Sequence, residues 1–172
     1  MRLKLSHSCE FTVNQGIAVN KLPGNAIIKN ADIADIDELY AFEQGIFTHD
    51  QLSKRQIRYH IKHKQNQFLV VKVADTIVGY CLIFCIFGRY SYARIYSIAV
   101  APEFQKKKIA AQLMQKALIE IKNNKINKVY LEVAEDNLTA INFYKNFKFT
   151  VIKTIPLYYQ GKYNALKMQK IM

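Results

Sequence analysis

Residues 97–114, SIAVAPEFQKKKIAAQLM, decide the fold. The apolar run Ile95 to Ala101 reads as a buried strand, because a strand covered on both faces needs no polar alternation. Pro102 breaks it. From about Lys107 the spacing changes, and Ile109, Leu113, Ala117 and Ile121 form one stripe with Met114 and Leu118 beside it. The stripe predicts an amphipathic helix to about Asn123. A strand, a short loop and a helix start thus follow each other directly. Such a helix start presents unpaired N–H groups and positive dipole charge, and Lys106, Lys107 and Lys108 add three cations there. The combination reads either as a phosphate site or as a solvated helix end with no ligand.

Upstream lie two further apolar runs, FLVVKVA from Phe68 and IVGYCLIFCIF from Ile77, with Asp75-Thr76 between them as a hairpin turn. Gly88 to Tyr92 turns the second run into the strand that starts the decisive segment. Ala26 to Lys29 is a short strand. Asp32 opens a helix with Ile33, Ile36 and Tyr40 on one face. Ser53 and Gln56 form a capping box for another helix, which carries Ile57 and Ile61. Residues 1–24 have weak periodicity and end on Pro23-Gly24, so they read as an N-terminal extension before a domain spanning 25–172.

Downstream, KVYLEVA (128–134) is a strand. Its Val129, Leu131 and Val133 share one face, and Tyr130, Glu132 and Ala134 share the other. Asn137 caps a helix to Asn146. Phe149 to Tyr159 and Tyr163 to Met168 are strands joined at Gln160-Gly161. The order βααβββαβαββ gives a mixed α/β (α+β) sheet with helices on its faces.

A lone carboxylate such as Glu132 amid apolar strand residues is costly unless paired or solvated. It marks an exposed edge position, a structural ion pair or a general base working near neutral pH. Tyr144, read alone, is core aromatic material.

The chain has 172 residues, with 51% hydrophobic and 22% charged, which suits one globular domain. No apolar run is long enough for a membrane helix, and the N-terminus has no signal-peptide pattern. Cys9, Cys81 and Cys85 form no C-x-x-C pair and read as reduced thiols of a cytoplasmic protein. His60 and His63 read as a surface pair, with no spaced carboxylate or Cys to make them a metal site. The net charge is +12, from 25 basic and 13 acidic residues. The basic residues are mostly Lys, which disfavours a sequence-specific nucleic-acid reader, since those lean on Arg.

Two segments carry a resemblance to the GNAT acetyltransferase superfamily that covers residues 26–170. Its cofactor motif, Gln/Arg-x-x-Gly-x-Gly/Ala after a strand ending in "AV-P", matches Gln105-Lys-Lys-Lys108-Ile109-Ala110 after Ile98-Ala-Val100-Ala-Pro102. Its second motif matches Leu131-Glu132-Val133, Asn137, Ala140, Phe143-Tyr144 and Phe147. Within the superfamily the chain is most similar to the RimI-type ribosomal-protein alanine N-acetyltransferases, whose C-terminal hairpin also resembles LYYQGKYNALKM.

The resemblance implies a mostly antiparallel central sheet and acetyl-CoA as co-substrate, with no metal. Backbone groups of Ile98 and Val100 would pair with the pantetheine arm, and Asn137 would touch it. N–H groups from Gln105 through Lys106, Lys107, Lys108 and Ile109 to Ala110 would hold the pyrophosphate. Glu132 would act as general base and Tyr144 as general acid. The implied acceptor is a primary amine, best a protein or peptide N-terminus, on a monomer or dimer.

One position departs from the motif: Lys108 replaces its first glycine, where the chain is expected to turn tightly and a side chain to cost about 1 kcal/mol. Two rivals stand beside the enzyme reading. One is a non-catalytic acyl-CoA sensor, and the other a basic ribosome- or RNA-associated protein.

Overall fold

A computed structural model describes residues 26–159 and 161–172. The expected N-terminal extension, Pro23-Gly24, Cys9 and Gln160 lie outside the described residues. Among the described residues seven strands form one sheet in the order β1-β2-β3-β4-β5-β7-β6. They are β1 (Ile27–Asn30), β2 (Asn66–Val73), β3 (Thr76–Ile86), β4 (Tyr92–Val100), β5 (Lys128–Ala134), β6 (Thr150–Tyr159) and β7 (Tyr163–Ile171). All neighbours are antiparallel except β4 and β5. The helices are α1 (Ile36–Ile46), α2 (Lys54–Lys62), α3 (Ile109–Asn123) and α4 (Leu138–Asn146).

The sheet separates two apolar layers. Ile109, Leu113, Met114, Ala117 and Ile121 of α3 and Ile141, Phe143 and Tyr144 of α4 fill the larger one against Val129, Leu131 and Val133. Ile36, Leu39 and Ile46 of α1 and Ile57 of α2 fill the other against Val70, Tyr80 and Leu82. Strand β3 is buried along nearly all its length, which is why its sequence is a continuous apolar run.

Three local readings shift. The β2–β3 turn is Ala74–Asp75, both left-handed (φ 47° and 65°), the geometry of a two-residue hairpin turn; Thr76 already belongs to β3. Asp32 does form a capping box, but on a single 3₁₀ turn before α1. The buried face of α1 is therefore Ile36, Leu39, Glu43 and Ile46, while Ile33 is exposed. Helix α3 starts at Ile109 rather than Lys107, because Lys108 sits at φ 62° and cannot continue helical geometry. The capping box of Ser53 and Gln56 on α2 forms as read. Around Gly161 (φ 66°) the Lys162 N–H donates to the Tyr159 carbonyl at 2.9 Å.

Buried Glu43 ties the α1–α2 connection to the sheet. Its Oε2 accepts the Leu52 N–H at 2.7 Å, and its Oε1 accepts the Tyr80 hydroxyl. That hydroxyl lies 2.8 Å from Ser97 Oγ on β4. The network satisfies a carboxylate that α1 places inside the smaller core.

Candidate active site

The parallel pair β4–β5 is short. Only Ala93↔Val129 and Arg94↔Tyr130 are in register, and past them the two strands part. Strand β4 stays paired with β3 up to Val100. An irregularity opposite Leu82 and Ile83, which pair with Ser97 and Ile95, leaves Tyr96 as the extra residue.

The Ala101 N–H donates to the Val78 carbonyl at 2.9 Å, on the β3 side. By strand alternation, the amides of Ile98 and Val100 turn the other way, into the gap left by β5. Gly79 makes the close approach at that end of β3 possible. A Cβ there would lie 2.9 Å from the Ala99 carbonyl oxygen and 3.3 Å from Val100 Cγ2.

At the end of β4 the chain enters the loop before α3. Gln105 Nε2 donates to the Val100 carbonyl at 3.3 Å. Lys106 and Lys108 are both left-handed, at φ 61° and 62°, so the loop takes the tight turn at Lys108 that a glycine would ease. Lys108 is the N-cap of α3 and makes no side-chain capping bond. Lys107 Nζ lies over the Phe104 ring, 4.6 Å from its centre. Ile109 and Ala110, in the first turn of α3, are buried and pack their side chains into the larger core.

Glu132 is buried and faces away from Leu131 and Val133, as the alternation requires. It is ion-paired. Arg94 Nε and Nη2 both reach Glu132 Oε2 at 2.8 Å, and Nη2 also donates to the Tyr158 hydroxyl at 2.9 Å. Burial by itself would lower the Arg94 pKa. The charges on Glu132 and Tyr158 and the hydrogen bonds to both outweigh it and raise it above the ordinary guanidinium value. These side chains line a cavity of about 450 Å³ with Tyr92, Tyr130 and Lys167.

Tyr144 is fully buried in the larger core, on the opposite side of the sheet from Glu132. Burial first, then the charges on Cys81 and Tyr159, push its pKa well above the ordinary phenol value. It therefore holds its proton at neutral pH. Tyr159 lies between the two sites: its hydroxyl donates to the Glu132 carbonyl at 3.5 Å, and its charge acts on Tyr144. Asn137 caps α4, its Oδ1 accepting the Ala140 N–H at 3.0 Å.

The sequence reading missed Arg94, Tyr158, Tyr159 and Lys167. Arg94 is a lone cation in a strand that otherwise reads as buried. Its partner is known only once β4 and β5 are seen to be neighbours. The histidine pair also needs correcting. His60 is half-buried, stacked on Phe84 at 5.0 Å and bonded through Nδ1 to Asn66 at 3.0 Å. Burial, and then the nearby His63, push its pKa below the ordinary value. Among the described residues no group of three or more His, Cys, Asp or Glu side chains is placed to hold a metal, and no helix is long and apolar enough to cross a membrane.

Comparison with known proteins bears on the fold and the family. A protein of Bacillus subtilis (strain 168), provisionally named a ribosomal protein bS18-alanine N-acetyltransferase, is 26% identical over 122 residues, covering 71% of this chain and 79% of the relative. An N-alpha-acetyltransferase of Sulfurisphaera tokodaii is 28% identical over 153 residues, covering 82% and 90%. The crystal structure of Ard1 from Thermoplasma volcanium superposes with a TM-score of 0.75 at 28% identity, covering 86% of this chain and 97% of that one. The model of the acetyltransferase (GNAT) family matches residues 33–149. With that match over most of its length, on a sheet that opens between β4 and β5 above a lysine-rich helix start, the chain belongs to the GNAT acetyltransferase family and is an N-acetyltransferase.

Proposed function

We propose that the protein transfers an acetyl group from acetyl-CoA to the α-amine at the N-terminus of a protein or peptide. The observation that carries this reading is the opening between β4 and β5. It has the outward-turned amides of Ile98 and Val100 on one wall and Glu132 at its base. Acetyl-CoA, when bound, supplies the acetyl group as an activated thioester.

The residues present fit that ligand. Ile98 and Val100 offer strand-like hydrogen bonds to an extended amide-bearing arm, and the Val100 carbonyl already draws one from Gln105. Backbone N–H groups from Gln105 to Ala110, together with Lys106, Lys107 and Lys108, offer donors and charge to a pyrophosphate. Asn137 stands at the α4 N-terminus as a further contact for the arm, its cap bond to Ala140 holding it in place.

The acceptor amine must be neutral to attack. Glu132, through a bridging water, takes its proton, while Arg94 fixes the carboxylate in place. Tyr144 would supply the proton that the leaving thiolate needs. The two lie on opposite faces of the sheet. An N-terminal amine titrates at about 7.7–8.0 and a lysine side chain at about 10.4, so the α-amine needs less help from the base. Related N-alpha-acetyltransferases support this acceptor class. Cys81 and Cys85 are free and buried, and free thiols fit a cytoplasmic setting, where thiols stay reduced.

Calorimetric titration with acetyl-CoA, followed by mass spectrometry of a peptide panel, tests the reading. Stoichiometric binding and acetylation at the peptide N-terminus are expected. No heat at millimolar acetyl-CoA removes the enzyme and the acyl-CoA sensor together. Binding without acetylation of any amine leaves the sensor.

A further inference from the structure

The cavity at Glu132 does not end there. It shares Tyr92 and Tyr130 with a second cavity of about 420 Å³, which runs to the β3–β4 turn and the start of β5. The Tyr92 and Tyr130 rings meet edge to face at 5.5 Å and form the floor where the two join. Together they make one trough across the sheet, from the candidate base to the rim.

The walls of the trough are cationic. Lys125, Lys128 and Arg89 line the far part and Lys167 the near part. Lys167 is in register with Glu132 but does not pair with it; its Nζ lies over the Tyr130 ring, 5.0 Å from the centre. Arg89 lies over Tyr90 at 5.5 Å. Among the described residues none of these four cations is ion-paired, and the only carboxylate lining the trough, Glu132, is held by Arg94. Four cations facing one channel with no countercharge call for an anionic occupant.

We propose that the acceptor is a peptide whose third to fifth residues carry acidic side chains, and that Lys125, Lys128 and Lys167 select it. The inference rests on the α-amine reading above. From Glu132 back to Lys128 the strand rises ~13 Å, at ~3.3 Å per residue, so an extended peptide with its amine at Glu132 sets its fourth or fifth residue beside Lys128. Lys167, opposite Glu132, meets an earlier residue. The tyrosine floor offers apolar and hydrogen-bonding surface to the peptide backbone between them. Continuity with the candidate base favours a peptide over a nucleic acid, since the groove leads to the group that needs an amine.

The test uses peptides that share their first two residues and carry Asp/Glu, Ser or Lys at residues three to five. kcat/KM is measured at low and high salt for the wild type and for the double variant Lys125→Glu, Lys128→Glu. Both lysines are exposed, and the melting temperature checks the fold of the variant. At low salt the acidic peptide is expected to exceed the neutral one by about tenfold, from three solvent-accessible charge pairs of roughly twofold to threefold each. The ratio falls toward unity at high salt and turns in favour of the Lys peptide in the variant.

Equal kcat/KM for acidic and neutral peptides in the wild type overturns the proposal while leaving the acetyltransferase reading intact. So does a preference that survives the charge reversal. If no peptide is acetylated, the α-amine reading fails, and fluorescence anisotropy of the same labelled peptides still decides the groove, with equal binding overturning it. A single-stranded RNA oligomer that displaces the acidic peptide from the wild type, and binds more tightly than it, overturns the proposal in favour of a nucleic-acid tract.

Discussion

Lys108 separates two effects that its position combines. Its backbone is left-handed at φ 62°, a conformation that costs a residue with a Cβ about 1–2 kcal/mol and glycine almost nothing. Its ammonium group stands at a helix start that also carries Lys106 and Lys107. Lys108→Ala removes the charge and keeps the strain, and Lys108→Gly removes both. Glycine regains the strain but costs about 0.5–1 kcal/mol more in unfolded-chain entropy. The glycine variant should therefore exceed the alanine variant in stability by about 0.5–1 kcal/mol. For a chain of this size that is a melting temperature higher by about 1–4 °C, read by scanning calorimetry without ligand. In titrations with acetyl-CoA, Lys108→Gly should bind as tightly as the wild type or more tightly, because the loop no longer stores strain against the bound geometry. Equal melting of the two variants would refute the strain argument. A fall in affinity of about tenfold or more in both variants would make Lys108 a phosphate ligand whose charge outweighs its backbone cost.

Further outcomes follow from the site and the core. Tyr144→Phe should lower turnover by about 10²–10⁴-fold with little change in acetyl-CoA affinity, since the ring still packs and only the proton donor is lost; unchanged turnover would reduce Tyr144 to core material. Glu132→Gln should slow turnover, by a margin that shrinks as pH rises and more of the acceptor amine is already neutral; a pH–rate profile against the wild type reads this, and a loss independent of pH would deny Glu132 the role of base. Gly79→Ala should cost about 1–3 kcal/mol by driving a Cβ onto the Ala99 carbonyl, seen as a melting temperature lower by about 2–12 °C; wild-type melting would refute the close approach. Buried Asp35 holds its charge against desolvation through Lys72 at 2.8 Å, the Asp32 N–H at 3.0 Å and Lys29 at 3.3 Å, so its pKa lies below the ordinary aspartate value. The stability it contributes is present above about pH 3.9 and is lost as pH falls through its depressed folded value. Asp35→Asn should flatten that part of an acid denaturation curve, and an unchanged acid limb would show that the pair contributes nothing.

The order of elements was legible because most strands and helices here differ sharply in apolar period. The face of β5 that carries Glu132 followed from alternation alone. Boundaries failed where backbone sign mattered. Nothing in the residue type of Ala74 announces a positive φ, and at Lys108 only the glycine it replaces in the motif does, so the β2–β3 turn and the start of α3 were each displaced by one or two residues. The face of α1 failed because Glu43 is buried, and a carboxylate is counted as outward until its partners Leu52 and Tyr80, distant in sequence, are seen. The site was legible only as far as one strand at a time allowed. Glu132 stood out, but the Arg94 that holds it sits 38 positions away. The cationic trough combines residues from four strands and two turns, a pattern that exists only after folding.

The short β4–β5 register has a consequence for how long the protein lasts. Joined by two residue pairs, the sheet is two blades, β1–β4 and β5–β7–β6, fastened at one end. Backbone amides along the open margins of both blades should exchange with deuterium much sooner than those between β3 and β4. A ligand lying between the blades closes that seam and stabilises the folded chain by about 2.7 kcal/mol at a hundredfold excess over its dissociation constant. A chain with a ligand between the blades would then resist proteolysis longer than one without.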